Sequence, residues 1–165
     1  MRAESLYLVG FMGAGKSSVS RTLARRLGWR AEDVDDLIEA RERKTVAAIF
    51  AQSGEAYFRQ VERDVVSSLA GAREVVVATG GGTFIDPDNR ATMLAAGAVA
   101  WLDIPLAKVI ERIPQDGRRP LAADRAQLEQ LYARRQAAYQ LAHVRIDASR
   151  PLHEVVERLL EWIGF

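Results

Sequence analysis

Eight residues near the start of the sequence, Gly10-Phe11-Met12-Gly13-Ala14-Gly15-Lys16-Ser17, have the types and spacing needed to hold a polyphosphate. They satisfy the pattern G-x-x-x-x-G-K-[ST] at every fixed position. The glycines let the backbone curl until successive N–H groups point inward at phosphate oxygens. Lys16 has the reach to set its ammonium against the β- and γ-phosphates of a nucleoside triphosphate. The Ser17 hydroxyl is a hard oxygen ligand suited to Mg²⁺. Such a loop does not choose the reaction, because switches, ATPases and small-molecule kinases all use one.

The remaining chemistry-bearing residues narrow the choice. In Asp33-Val34-Asp35-Asp36, an extended backbone sets Asp33 and Asp35 on the same side. One carboxylate there suits Mg²⁺ through its waters, and the other suits a hydroxyl proton. Equally, the same acids suit the cap of a helix beginning near Leu37, with Asp36 a cap or solvated. Arg59 and Glu62, three apart on a helix, form either a surface ion pair or a braced clamp for a substrate carboxylate. Thr79-Gly80-Gly81-Gly82-Thr83 follows an apolar run, and three glycines at the carboxyl end of a strand leave room for a close approach. Arg135 falls on the apolar stripe of Leu128, Leu131, Tyr132, Ala138, Tyr139 and Ala142. If it points into a cleft, it needs an anion there. Residues 114–124 are basic and Pro/Gly-punctuated, a composition that suits a mobile lid bringing Arg118 or Arg119 over a transferring phosphate.

The elements that position these groups alternate. Apolar runs at 6–9, 75–78 and 98–102 read as buried strands, with weaker ones near 30–34 and 144–146. Between them lie amphipathic patterns. Residues 17–27 form a helix that stops at Gly28. Phe58, Val61, Val65 and Leu69 share one helical face, and Leu152, Val155, Val156, Leu159, Leu160 and Ile163 share another. Buried strands separated by helices imply a parallel sheet with helices on both faces. At 165 residues the chain has the length of one domain. It has no cysteine, which excludes disulfides, thiolate metal sites and a cysteine nucleophile. A net charge of +1 gives no sign of a nucleic-acid partner. No apolar run approaches the roughly 20 residues of a membrane span. Residues 5–10 read as a core strand and not as a signal peptide, so we expect a cytoplasmic protein. We expect a monomer, since one chain supplies a complete cleft.

Together these residues resemble the shikimate kinase family, within the nucleoside-monophosphate-kinase-like P-loop group. The likeness runs through the P-loop, Asp33-Val34-Asp35, Gly54-Glu55 with Phe58-Arg59 and Glu62, the triple glycine, Arg119-Pro120-Leu121, and Arg135 with Tyr139. One departure is Ala137, where the family usually has proline. The resemblance implies an α/β, three-layer P-loop NTPase fold over residues 1–165. Its five-stranded parallel sheet would have the order 2-3-1-4-5, with an acceptor-binding segment at about 33–62 and a lid at about 114–124. It implies ATP and Mg²⁺, and transfer of the γ-phosphoryl to the 3-hydroxyl of shikimate, a step toward chorismate and the aromatic amino acids. Lys16, Asp35 and Arg119 would be catalytic. Gly13, Ala14, Gly15, Lys16, Ser17, Ser18, Arg119 and the adenine-side residues Arg112 and Arg150 would hold the nucleotide. Ser17 and Asp33 would hold the metal. Asp35, Arg59, Gly80, Gly81, Gly82 and Arg135 would bind shikimate. The alternatives are a gluconate-type kinase of the same fold and a nucleotide switch without an acceptor.

Overall fold

The computed structural model describes residues 3–112 and 125–165. Strands β1 (Ser5–Val9), β2 (Arg30–Asp33), β3 (Val75–Ala78), β4 (Ala98–Asp103) and β5 (Val144–Asp147) form one sheet in the order β2-β3-β1-β4-β5. Every pairing is parallel, and Leu6 of the central strand lies between Val76 and Ala98. All residues of β1 and of β3 are buried, so both faces of the sheet are covered. The edges differ from the centre. β2 and β5 are short and carry exposed Arg30 and Arg145, charges that discourage pairing with another sheet.

The helices are α1 (Lys16–Leu27), α2 (Val34–Glu42), α3 (Val46–Leu69), α4 (Pro87–Ala96), α5 (Leu106–Arg112), α6 (Arg125–Tyr139) and α7 (Leu152–Ile163). α1 packs on β1, β2 and β3 and against α7, while α3 packs against α2 and α4. The expected face of α3 is buried at Phe58, Val61, Val65 and Leu69. That of α7 is buried from Val155 onward, but Leu152, in the first turn, is exposed. Among the described residues, no helix is long and apolar enough to cross a membrane.

Two local features shape the site, and the first departs from expectation. The helix after β2 begins at Val34, not near Leu37, so Asp35 lies in a helical turn and not on extended backbone. The cause is Asp33, whose Oδ1 accepts the N–H groups of Asp35 and Asp36 at 2.9 and 3.2 Å and turns the chain at once. Gly54 adopts φ 83° inside α3 and breaks the helix into two pieces. That kink precedes the piece carrying Arg59 and Glu62.

Candidate active site

The P-loop joins β1 to α1. Gly15 is the N-cap of α1 in a left-handed conformation (φ 89°), and no side chain caps the helix. Its positive end is therefore left to an anion. The Lys16 side chain is buried, and its ammonium donates to the Gly10 carbonyl at 2.5 Å and the Phe11 carbonyl at 3.0 Å. From the end of α5, Arg112 Nη1 donates to the Gly13 carbonyl at 3.0 Å, so this arginine lies against the phosphate loop.

Asp33 has two tasks that seemed to be alternatives in the sequence. While one oxygen caps α2, Oδ2 accepts the Ser17 hydroxyl at 2.8 Å. The first helical turn then presents Asp35 to the glycine loop after β3. Burial is the main cause that raises the Asp35 carboxyl to about 6; Asp33 and Glu62 add repulsion, and Lys16 opposes them. Asp36 is exposed.

The triple glycine is where the dispersed residues meet. A Cβ on Gly80 would lie 3.0 Å from Asp35 Oδ1, one on Gly81 2.7 Å from Arg135 Nη1, and one on Gly82 2.6 Å from Arg59 Nη2. Each missing side chain leaves the space that one functional side chain occupies. These glycines serve room rather than conformation, since none has a positive φ. A cavity of about 370 Å³ opens beside them, lined by Arg59, Gly82, Arg134 and Arg135 together with Glu55 and Asp86. That size suits a small organic molecule. Arg134 is a third guanidinium at this cleft, with no helical-stripe signal to mark it in the sequence.

Gly81→Ala tests this packing. Its new methyl meets the guanidinium end of the Arg135 side chain rather than backbone, so the fold should survive while the clamp shifts. The KM for the acceptor should rise roughly 10-fold or more, as expected for a displacement of about 1 Å, with the ATP KM and melting temperature little changed. Unchanged acceptor KM would show that the guanidinium position does not matter.

Both arginines are held. Arg135 stacks over the Phe11 ring at 5.7 Å, tying α6 to the P-loop. Burial, and less strongly Arg59, hold its guanidinium below the usual arginine range, against an opposing effect of Tyr139. Tyr139 is fully buried and donates to the Gly81 carbonyl at 2.5 Å. Arg59 Nη1 donates to Glu62 Oε1 at 3.0 Å, with Glu55 further off at 3.6 Å. Glu62 is 1% exposed and also accepts the Thr83 hydroxyl at 2.9 Å and the Asn89 amide at 3.5 Å. The bland expectation for Arg59 and Glu62, a solvated pair, is therefore wrong. Thr83 and Asn89 went unassigned in the sequence, where only the proximity of Thr83 to the glycines singled it out. Asp86 and Pro87 are the cap and first residue of α4, and Asp86 Oδ1 accepts the Asn89 N–H at 3.2 Å.

Arg118, Arg119 and the proposed lid at 114–124 fall outside the described residues. Arg150 precedes α7, 3.8 Å from Asp147 and 3.7 Å from Glu154. It lines a second cavity of about 570 Å³ with Asp103, Pro105 and Ser149, to which no P-loop residue among those described contributes.

A phosphate loop at the end of the central strand, facing a basic cleft built on the neighbouring strand's glycines, defines a P-loop kinase. A family model described as shikimate kinase matches residues 12–164. A shikimate kinase of Persephonella marina is 40% identical over 159 residues, covering 95% of this chain and 97% of that relative. The solved shikimate kinase of Acinetobacter baumannii in complex with shikimate superposes with a TM-score of 0.92 at 33% identity, over 97% of this chain and 92% of that one. A gluconokinase of Sinorhizobium meliloti shares the fold alone, with a TM-score of 0.62 at 19% identity over 98% and 91% of the two chains. The chain belongs to the shikimate kinase family.

Proposed function

We propose that this enzyme transfers the γ-phosphoryl group of ATP to the 3-hydroxyl of shikimate, giving ADP and shikimate 3-phosphate. The observation that carries this is the meeting of Asp35, Arg135 and Arg59 at Gly80, Gly81 and Gly82, where a Cβ on Gly81 would lie 3.7 Å from the Met12 backbone nitrogen of the P-loop. A carboxylate beside two guanidinium groups fits an acceptor bearing both a hydroxyl and a carboxylate. Gluconate also carries both groups, but as a flexible chain it fits a rigid two-arginine clamp less well than a ring. A nucleotide switch leaves the basic cleft without an occupant.

The chemistry follows from the residues. Arg59 and Arg135 anchor the acceptor carboxylate. Asp35 accepts the proton of the attacking hydroxyl as the new P–O bond forms. The bond from the γ-phosphorus to the bridging oxygen breaks, and ADP leaves with that electron pair. Lys16 moves from the Gly10 and Phe11 carbonyls to the phosphates and offsets their developing charge. The family resemblance implies the same task for Arg119. Gly13, Ala14, Gly15 and Ser18 supply backbone N–H groups, and Arg112, with Arg150 as a second contact, flanks the adenine. Ser17 Oγ and Asp33 Oδ2, 2.8 Å apart, are hard oxygens that suit Mg²⁺, an ion that takes few protein ligands beside phosphate and water. Mg²⁺ held there would neutralise phosphate charge. We read the enzyme as a monomer working in the cytoplasm.

Coupled ADP release with shikimate, with gluconate and with neither decides among the functions. Release should depend on shikimate. Equal rates in all three arms would exclude the acceptor reaction, and a preference for gluconate would reassign the cleft. Lys16→Ala should lower kcat by about 10² in the same assay. Near-normal turnover would remove Lys16 from the chemistry.

A further inference from the structure

Glu62 takes donors from three separate elements: Arg59 on its own helix, Thr83 in the 3₁₀ turn Thr83–Ile85, and Asn89 on α4. Thr83 is the junction. It is fully buried, and its hydroxyl works in two directions. Oγ1 donates to Glu62 Oε2 at 2.9 Å and accepts the Gly80 N–H at 3.0 Å. A hydroxyl has one proton, so donation to Glu62 leaves its lone pairs for Gly80, and both bonds share one consistent polarity. Asn89 Nδ2 closes the frame by also donating to the Thr83 carbonyl at 3.2 Å.

The chain of contacts joins the two halves of the acceptor cleft. On one side Glu62 Oε1 holds Arg59, whose guanidinium fills the space above Gly82. On the other, Gly80 abuts Asp35. We propose that Thr83 is a positioning residue for acceptor binding: its hydroxyl fixes the Glu62 carboxylate toward Arg59 and the Gly80 backbone beneath Asp35, setting the distance from clamp to base. This rests on the acceptor cleft proposed above. A residue that merely filled space would be replaced by valine at little functional cost. A positioning hydroxyl would not, because valine leaves Glu62 Oε2 and the Gly80 N–H unpaired in a buried place.

Thr83→Val, Thr83→Ser and Thr83→Cys, made in the full chain, test this by steady-state kinetics with both substrates varied. For Thr83→Val the shikimate KM should rise roughly 10–100-fold, as for loss of a hydrogen bond to a charged group, while the ATP KM stays within about twofold. Thr83→Ser should restore the shikimate KM. The effect should be largely lost when Thr83→Val is added to Arg59→Lys, because both changes act through one guanidinium. An unchanged shikimate KM, an equal rise in both KM values, or additivity with Arg59→Lys would each overturn the inference. If the valine variant does not fold, the cysteine variant decides: a weak thiol donor should still raise the shikimate KM alone, and an unchanged value sinks the inference. A wild-type enzyme indifferent to shikimate would bring down the acceptor assignment and this inference together. A responsive wild type with an indifferent valine variant would bring down the inference only.

Discussion

Replacing Asp35 with asparagine should lower kcat by roughly 10²–10⁴ and leave the KM for ATP near the wild-type value. Asparagine keeps the shape beside Gly80 but has neither charge nor basicity. The wild-type pH profile should identify the group. Burial and the repulsion of Asp33 and Glu62 put the Asp35 carboxyl at about 6. Below that pH it holds a proton and cannot accept another, so kcat/KM for shikimate should fall about tenfold per pH unit there. The residual activity of the asparagine variant should lack this limb. If ATP binding weakens instead and turnover survives, Asp35 serves the metal and its role is exchanged with Asp33.

The same environment makes Asp35 a burden on the fold. Its folded pKa lies above the unfolded value of 3.8, at about 6. Between those values the folded chain keeps a proton that the unfolded chain releases. Stability from this group is therefore full below the lower value and is lost as pH rises through the upper one. At neutral pH and above, Asp35→Asn should stabilise the ligand-free protein, by on the order of 1–3 kcal/mol. Thermal unfolding against pH checks it: the gain should vanish near pH 4. A variant that is inactive and also less stable at neutral pH would indicate a structural defect rather than loss of a base.

What the sequence disclosed and what it withheld divide by the range of the interactions. The P-loop is a local object, since eight consecutive residues and the flanking strand and helix define it. The strands were legible for the same reason: runs such as Val75-Val76-Val77 have no other place than a sheet covered on both faces. Long-range geometry was not legible from the residues alone. Asp33 looked like either a cap or a metal-site acid, and the structure has it cap α2 with one oxygen and take Ser17 with the other. Periodicity cannot show one carboxylate serving both. Nor does any pattern announce that Thr83 and Asn89, 21 and 27 residues from Glu62, meet it in the core. The triple glycine announced that something comes close. Only the fold shows that Asp35, Arg135 and Arg59 each come to one of the three.

Arg135→Ala should reduce kcat/KM for shikimate by roughly 10²–10³, the cost of truncating one partner of a desolvated charge pair. The free enzyme holds Arg59 and Arg135 at one cleft, and Arg135 is kept below the usual arginine range by burial and by Arg59. That arrangement gains from an anion placed between them. A carboxylate supplies the anion and accepts the planar fork of at least one arginine. Alanine removes the fork, and lysine does not restore it, because a single ammonium on a flexible stem cannot repeat the paired geometry. The ATP KM should change little in either variant. The fold should also tolerate the loss, since Arg135 contributes a stacking contact on Phe11 and a side-chain hydrogen bond with Tyr139. The sharper test changes the substrate. An analogue of shikimate with its carboxylate reduced to an alcohol should be a poor acceptor for the wild type, because it brings no charge to two desolvated cations. It should lose little further activity in Arg135→Ala, where half of the clamp is already gone. Should the acid and the alcohol be phosphorylated equally well by the wild type, the arginines do not clamp a carboxylate, and the cleft at Gly80-Gly81-Gly82 must bind its acceptor by other contacts.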